Sequence, residues 1–215
     1  MADIILSTDS PEVRYLCMRD KRLAKLITMV GDIKITPHSD NTYSFLVHEI
    51  IEQMLSVKAG KQIFSRLEQL CGGNVTPEKV TMLTDEQIRS TGTSNAKVEY
   101  IRNLTMAFSD GLIDEQRFSC MSDDEIIKEM ISMRGIGKWT AKMYLMFVLN
   151  RPDILPVEDG AFLQVYKWLY KTDDVSPQSV MRKCKKWSPY STTASRFFYR
   201  ALDSRLTKSE FHLFK

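Results

Sequence analysis

The sequence predicts an all-α protein of two helical lobes, and three observations lead there. Apolar residues recur at spacings of three and four while strict alternation is rare, which is the helical period. Glycine is scarce, nine in 215 residues, and several glycines stand where helical stretches should stop. Residues 150–157, NRPDILPV, place two prolines in eight residues and form the strongest break in the chain. That break marks a crossing between lobes, and the reading takes 43–150 as one lobe and 1–42 with 151–215 as the other. Ten to twelve helices and no strand are expected, with no internal repeat or low-complexity segment.

The elements follow in order. Pro11 after Ser10 fits a first helical position, and Val13, Leu16, Leu23, Leu26, Ile27 and Val30 carry one segment on to Gly31. Residues 43–55 form the next helix, with Leu46, Val47, Ile50, Ile51, Met54 and Leu55 as its apolar set. Ile63, Phe64 and Leu67 mark a third, stopped by Gly72-Gly73. Thr84 with Gln87, Ser122 with Glu125 and Thr207 with Glu210 each read as a capping box that opens a helix. In such a box the hydroxyl accepts from a free backbone N–H while the later side chain reaches back. Residues 96–108 carry Val98, Ile101, Leu104, Met106 and Phe108 at helical spacing. Helices over 122–133, 138–150 and 161–170 complete the reading.

Composition excludes several classes. Thirty Lys+Arg against 27 Asp+Glu give net +3, neither an acidic disordered tail nor a histone-like chain. The longest strongly apolar run is 143–149, far short of the ~18 residues of a membrane span. The N-terminus has no basic flank before a long apolar stretch, so no secretory signal is expected. The cysteines at 17, 71, 120 and 184 form no C-x-x-C pair, which argues against a zinc site and a cysteine-ligated iron–sulfur cluster. Isolated thiols suit a reducing compartment, bacterial cytoplasm or eukaryotic nucleus. The charge is uneven. Residues 161–215 hold eleven Lys+Arg and four Asp+Glu, net +7, against nineteen and twenty-three, net −4, in residues 1–160. Such a basic segment suggests a polyanion-facing surface, and a solvated basic face is the plainer alternative.

Chemistry concentrates in residues 122–170. Two helices joined only by Arg134-Gly135-Ile136-Gly137 must turn back on each other. Gly135 and Gly137 permit positive φ and close backbone approach, and Ile136 between them can plug the hairpin against the core. The second helix begins with outward N–H groups beside Lys138, a suitable partner for a phosphate oxygen. Hairpin carbonyls offer a site for a monovalent Na+ or K+ bridging to that phosphate. An ordinary helical hairpin is the bland reading. Asp159 sits at or near the start of the helix after the proline-rich break, either as a simple cap or as a carboxylate held beside a cleft.

The string GIGKWTAKMYLMFVLNRPDILPVED resembles the helix–hairpin–helix, Gly/Pro-rich loop and Asp signature of the HhH-GPD DNA glycosylases. It is most similar to their alkylpurine branch, the 3-methyladenine DNA glycosylase II proteins, in a compact form without the β domain of larger relatives. Residues 23–27 (LAKLI), 50–59 (IIEQMLSVKA), 93–101 and Trp187-Ser188-Pro189-Tyr190 resemble further family segments in the right order. The resemblance implies two helical lobes with a DNA-binding cleft between them. It implies a monomer that acts on double-stranded DNA with alkylated or abasic nucleotides, in base excision repair. It requires no cofactor and no iron–sulfur cluster.

Site roles follow from the same resemblance. Asp159 matches the catalytic Asp, which stabilises an oxocarbenium-like sugar and helps to position or activate water. A glycosidic bond breaks with positive charge growing on the sugar, so a fixed carboxylate stabilises the transition state most. An N-alkylated purine is already cationic and leaves without a general acid. Trp139 stands where bifunctional relatives carry a Schiff-base lysine. Lys138 is one place earlier, about 100° around the helix, which implies a monofunctional enzyme without lyase activity. Trp139 and Trp187 are expected in the wall of the base pocket, with Met143 or Tyr144 at the position of a family aromatic. The hole left by a flipped base is filled from the minor groove, here by Met54 as wedge with Gln53 and Ser56 contacting DNA beside it. Arg134, Gly135, Ile136, Gly137, Lys138 and Thr140 are the expected phosphate contacts, and the carbonyls of Ile131, Met133 and Ile136 the cation ligands.

Departures from the family pattern bear on substrate range. Glu52-Gln53-Met54 replaces a frequent Gly-Gln-Gln and sets a carboxylate near the DNA face, Arg134 replaces a frequent proline, and Ser191 replaces a frequent arginine. They leave open one alternative, a binding-only relative that recognises abasic or distorted DNA with little excision; an intact Asp159 argues against it. A helical protein-interaction module is the other rival.

Overall fold

Two short strands and thirteen α-helices make up the fold among the described residues, 3–36 and 41–213, of this computed structural model. Strand β1 (Ile4–Leu6), helices α1 (Pro11–Arg19) and α2 (Lys21–Val30), and strand β2 (Ile33–Ile35) open the chain. Then come α3 (Thr42–Glu52), α4 (Val57–Leu70), α5 (Pro77–Met82), α6 (Asp85–Ser90), α7 (Asn95–Ser109), α8 (Glu115–Ser119) and α9 (Asp123–Ile131). Helices α10 (Lys138–Phe147), α11 (Gly160–Tyr170), α12 (Pro177–Cys184) and α13 (Ser191–Asp203) complete the order, with 3₁₀ turns at Lys185–Trp187 and Leu206–Lys208.

The chain divides into two compact units, Met1–Pro37 with Leu145–Lys215, and His38–Tyr144. The later boundary falls inside α10, before the proline-rich break at 150–157. Arg196 supplies a reason. Its guanidinium donates to the Met146 carbonyl at 2.6 Å and to Asn150 Oδ1 at 3.1 Å, and it stacks over Phe147 at 5.1 Å. The end of α10 is thereby tied to α13.

In the unit formed by both chain ends, Leu16, Leu23, Leu26, Phe162, Val165, Leu169, Trp187, Phe197 and Phe198 form the core. Each such side chain withdrawn from water contributes roughly 1.5–3 kcal/mol. Two expectations change here. The segment from Ser10 to Gly31 is two helices, because Asp20 leaves helical geometry (φ −140°, ψ 100°) to cap α2 through the Arg22 and Leu23 N–H groups. Strands do exist. β1 pairs antiparallel with β2, Leu6 opposite Ile33, and both of those side chains are buried. Three-residue strands carry too little alternation to be read locally; pairing across the α1–α2 hairpin satisfies their backbones.

In the unit 38–144, α3, α4 and α7 surround Leu46, Val47, Ile50, Leu67, Ile101 and Leu104, all buried. The Tyr43 hydroxyl lies 2.7 Å from Thr105 Oγ1, so the buried phenol is satisfied. The capping boxes at Thr84–Gln87 and Ser122–Glu125 are present in full. The third expected box is absent. Thr207 lies in a 3₁₀ turn, and the Glu210 carboxylate pairs with Lys171 at 2.6 Å. That long-range ion pair takes the group that would have reached back. No helix among the described residues is long and apolar enough to cross a membrane.

Candidate functional site

The hairpin between α9 and α10 is built as its glycines and Ile136 suggest, with one correction. Ile136 is buried, 5% exposed, and its N–H donates to the Met133 carbonyl at 3.1 Å, closing the link. Gly135 is required twice over. It adopts φ +105°, and a Cβ there would lie 2.4 Å from Tyr100 Cβ. Gly137 has neither a positive φ nor a neighbour within 4 Å of a built Cβ. Its position borders open space at the start of α10, beside exposed Lys138. Arg134 is exposed and pairs with Glu99 at 2.7 Å. Thr140, expected at a phosphate, is turned inward. It is 1% exposed, and its Oγ1 accepts from Gln53 Nε2 at 3.3 Å.

The loop after α3 carries the exposed apolar side chains. Gln53 ends the helix, and Met54 adopts φ +59° with its side chain fully exposed. Left-handed backbone is disfavoured for a residue with a Cβ, so this conformation is imposed by its surroundings. The helix expected over 43–55 stops at Glu52, so Met54 lies beyond it and outside the core. Leu55 and Val57 are exposed beside it, and Ser56 caps α4 by accepting from the Ala59 N–H at 3.3 Å. Gln53 is half-buried and does not reach outward through its amide nitrogen, which donates to the Gly135 carbonyl at 3.0 Å. Gln53 thereby braces this loop to the hairpin.

Lys97 makes a long-range contact beneath this loop that local sequence reading misses. From α7 its ammonium donates to the Ile51 carbonyl at 2.8 Å and the Gln53 carbonyl at 2.6 Å. Both acceptors sit at the C-terminal end of α3, where carbonyls lack helical partners and a cation is favoured. Burial holds the Lys97 ammonium below its ordinary value. The signal that could have found it lies in the sequence itself, since Lys97 is the lysine of the 93–101 stretch. Glu52 does not face outward. Its Oε1 is 3.3 Å from His48 Nε2, and its Cγ occupies the space that a Cβ on Gly60 would need.

Asp159 is the N-cap of α11, 7% exposed, and its Oδ1 accepts from the Phe162 N–H at 2.6 Å. Its own N–H donates to the Pro156 carbonyl at 3.0 Å. The loop before it is anchored through Asp153, which accepts from the Ser191 N–H at 3.1 Å, from Ser191 Oγ at 2.5 Å and from Ser188 Oγ. Ser191 thus holds the loop that leads to Asp159.

The expected base-pocket residues differ in burial. Trp187 is fully buried, stacked edge-on against Phe162 and Phe198 at 6.3 and 5.3 Å, with its Nε1 donating to Asp20 at 3.1 Å. A ring so enclosed presents no face to a base, so Trp187 is a core residue. Asp20 also accepts from the Tyr170 hydroxyl and pairs with Lys186 at 2.9 Å. Burial alone would raise the Asp20 pKa, but hydrogen bonds from Tyr170, Lys186 and Trp187 outweigh it and hold the carboxyl below its ordinary value. On α10, Trp139 is half-buried, whereas Met143 is 4% and Tyr144 0% exposed. The Tyr144 ring meets Phe118 edge-on at 6.0 Å, and its hydroxyl is buried without a hydrogen-bond partner.

Among the described residues no three His, Cys, Asp or Glu side chains gather as metal ligands, and the described cysteines are unpaired thiols. Any cation at the hairpin would rest on main-chain oxygen, a donor set suited to a hard ion. One of those oxygens, on Met133, already accepts the Ile136 N–H.

Comparison with known proteins places this geometry. A solved structure of DNA-3-methyladenine glycosidase from Bacillus halodurans matches with TM-score 0.83 and 34% identity, over 98% of this chain and 97% of that one. The 3-methyladenine DNA glycosylase of Schizosaccharomyces pombe, solved in complex with abasic DNA, matches with TM-score 0.83 and 25% identity, over 90% and 97%. DNA-3-methyladenine glycosylase 1 of S. pombe is 26% identical over 204 residues, 92% of this chain and 89% of the relative. Residues 47–189 match the HhH-GPD superfamily of base excision DNA repair proteins. With the match spanning hairpin, loop and Asp159 together, the chain belongs to that superfamily.

Proposed function

We propose that this protein is a monofunctional DNA glycosylase of the 3-methyladenine type II kind, which hydrolyses the N-glycosidic bond of alkylated purines flipped out of duplex DNA. The observation that carries the reading is Asp159, a buried carboxylate fixed by the Phe162 N–H in a chain similar end to end to a DNA-3-methyladenine glycosidase. A carboxylate held in one orientation stabilises charge that develops on the sugar without reorganising as the bond breaks. Most glycoside hydrolases use a second carboxyl as acid. An alkylated purine carries its own positive charge, so one carboxylate suffices.

Other roles follow. Met54 fills the gap left by the flipped base, supported by its full exposure. Trp139, half-buried on α10, offers a ring face to a cationic base, backed by Met143 and Tyr144 from the interior. No lysine stands at position 139, which supports hydrolysis without strand cleavage. Gly137, Lys138 and the first turn of α10 meet a phosphate, with Arg134 exchanging Glu99 for a second one. The carbonyls of Ile131, Met133 and Ile136 would hold a Na+ or K+, which would supply positive charge for binding a phosphate. The protein acts as a monomer, in a bacterial cytoplasm or a nucleus.

The test is base release from methylated duplex DNA by wild type and Asp159→Asn, with strand integrity analysed before any alkali step. Release by wild type alone, with strands intact, is expected. Tight binding to abasic duplex without release by either protein would favour the binding-only alternative.

A further inference from the structure

The exposed Met54 poses a question that its own surroundings answer. An L-residue at φ +59° has nothing to gain locally from that conformation, and a side chain fully exposed makes no packing contact that would hold it. The conformation must be held through the main chain on either side. On the preceding side, Lys97 Nζ grips two carbonyls, those of Ile51 and Gln53, at 2.8 and 2.6 Å. The second of these carbonyls belongs to the peptide that leads directly into Met54. Gln53 is gripped again through its side chain, by the Gly135 carbonyl at 3.0 Å. On the following side, the Leu55 N–H donates to the Glu52 carbonyl at 2.9 Å and Ser56 caps α4.

Of these contacts the lysine is the unusual one. An ammonium is strongly hydrated, and Lys97 is half-buried with its charge set on neutral carbonyls. Surface lysines do not give up water for such partners unless geometry requires it. The helix end it caps could have been finished by a glycine in left-handed geometry, the usual device. This chain places methionine in that geometry and a lysine beneath it.

We propose that Lys97 is a positioning residue for base extrusion: by clamping the Ile51 and Gln53 carbonyls it holds Met54 outward in the conformation that enters the DNA stack. The inference rests on the reading of Met54 as the wedge. Lys97 touches neither the sugar nor the base, and it acts through the loop. A preset wedge lowers the cost of opening a paired base and does little for a base that is already unpaired.

The experiment measures single-turnover excision of an alkylated purine in two duplexes, one with the lesion paired and one with it opposite an abasic gap. Wild type, Lys97→Met, Lys97→Arg, Met54→Ala and the double variant Lys97→Met/Met54→Ala are compared, with 2-aminopurine beside the lesion reporting unstacking. Lys97→Met is expected to slow excision of the paired lesion about tenfold, and that of the unpaired lesion at least several-fold less. Lys97→Arg should recover most of the loss, since a guanidinium can reach both carbonyls. On the paired lesion the double variant should match Met54→Ala, because two residues acting through one loop do not add. The 2-aminopurine rise should slow in parallel.

Equal loss on both duplexes, no loss on the paired one, or losses that multiply in the double variant would each overturn the inference. Thermal melting accompanies every variant. If Lys97→Met does not fold, Lys97→Gln takes its place under the same criteria: a loss concentrated on the paired lesion, with a slower 2-aminopurine rise, supports the inference, and equal loss on both duplexes or none on the paired one overturns it. A wild type that releases no base from either duplex would remove the functional reading, and Met54→Ala without effect on the paired lesion would remove the wedge; both outcomes take this inference with them and are read in proteins that retain Lys97.

Discussion

The Gln53 side-chain amide donates to the Gly135 carbonyl across 3.0 Å, so the loop that displays Met54 and the hairpin that begins α10 are fastened to each other. Residues 82 apart in sequence are thus held in contact. A single side chain sets the spacing between an exposed apolar residue and a helix N-terminus suited to phosphate.

Asp159 caps α11, and the proposed function gives its carboxylate a second, separable role. Asparagine caps helices about as well as aspartate, so Asp159→Asn should melt within a few tenths of a kcal/mol of wild type yet lose roughly 10²–10³ or more of base release. Asp159→Ala should lose the same activity and about 1 kcal/mol of stability as well. Calorimetry alongside a base-release assay checks the pair. Asp159→Asn with wild-type release would remove the carboxylate from the mechanism.

The two hairpin glycines should respond differently. Gly135→Ala forces a Cβ to 2.4 Å from Tyr100 at φ +105°, and about 3 kcal/mol of destabilisation is expected. Gly137→Ala meets nothing within 4 Å and should cost no more than ~0.5 kcal/mol. It should nonetheless weaken DNA binding by standing where a phosphate approaches. Chemical denaturation and a binding titration at two salt concentrations separate these effects.

Met54→Gly removes the exposed side chain and relieves the positive φ. Stability should stay level or rise by up to ~1 kcal/mol, while excision from a paired lesion falls about tenfold. Denaturant melts and single-turnover excision read the two effects separately.

Asp20 predicts an acid limit. Its folded pKa lies below the ordinary value, where burial opposes and the Tyr170, Lys186 and Trp187 hydrogen bonds prevail. The stability it contributes is therefore fully present above the unfolded value, ~3.9, and is lost as pH falls from there through the folded pKa. Asp20→Asn should lower stability at pH 7 and flatten the fall in unfolding free energy below about pH 4. Denaturant melts from pH 6 to pH 2.5 read the slope directly.

Local signals in the sequence determined much of this protein. The two capping boxes, the hairpin with Ile136 buried, and Asp159 at a helix start all depend on residues within a few positions of each other. Backbone chemistry at that range is decided before packing begins. What only the tertiary structure decided lies at long range. Asp20 divides a continuous apolar pattern, with the fold giving its carboxylate Trp187 as a partner 167 residues away. Trp187 itself, an aromatic suited to a base pocket by type, is enclosed by Phe162 and Phe198. Strand β1 exists only because β2 returns beside it. The Lys97 ammonium reaches the Ile51 and Gln53 carbonyls because packing brings α7 against the end of α3, 44 residues earlier. Side-chain type and local spacing set what each residue can do; burial and the partners delivered by chain return set what it does, since an unpaired polar group or an enclosed ring has its energy fixed by neighbours the local sequence does not contain.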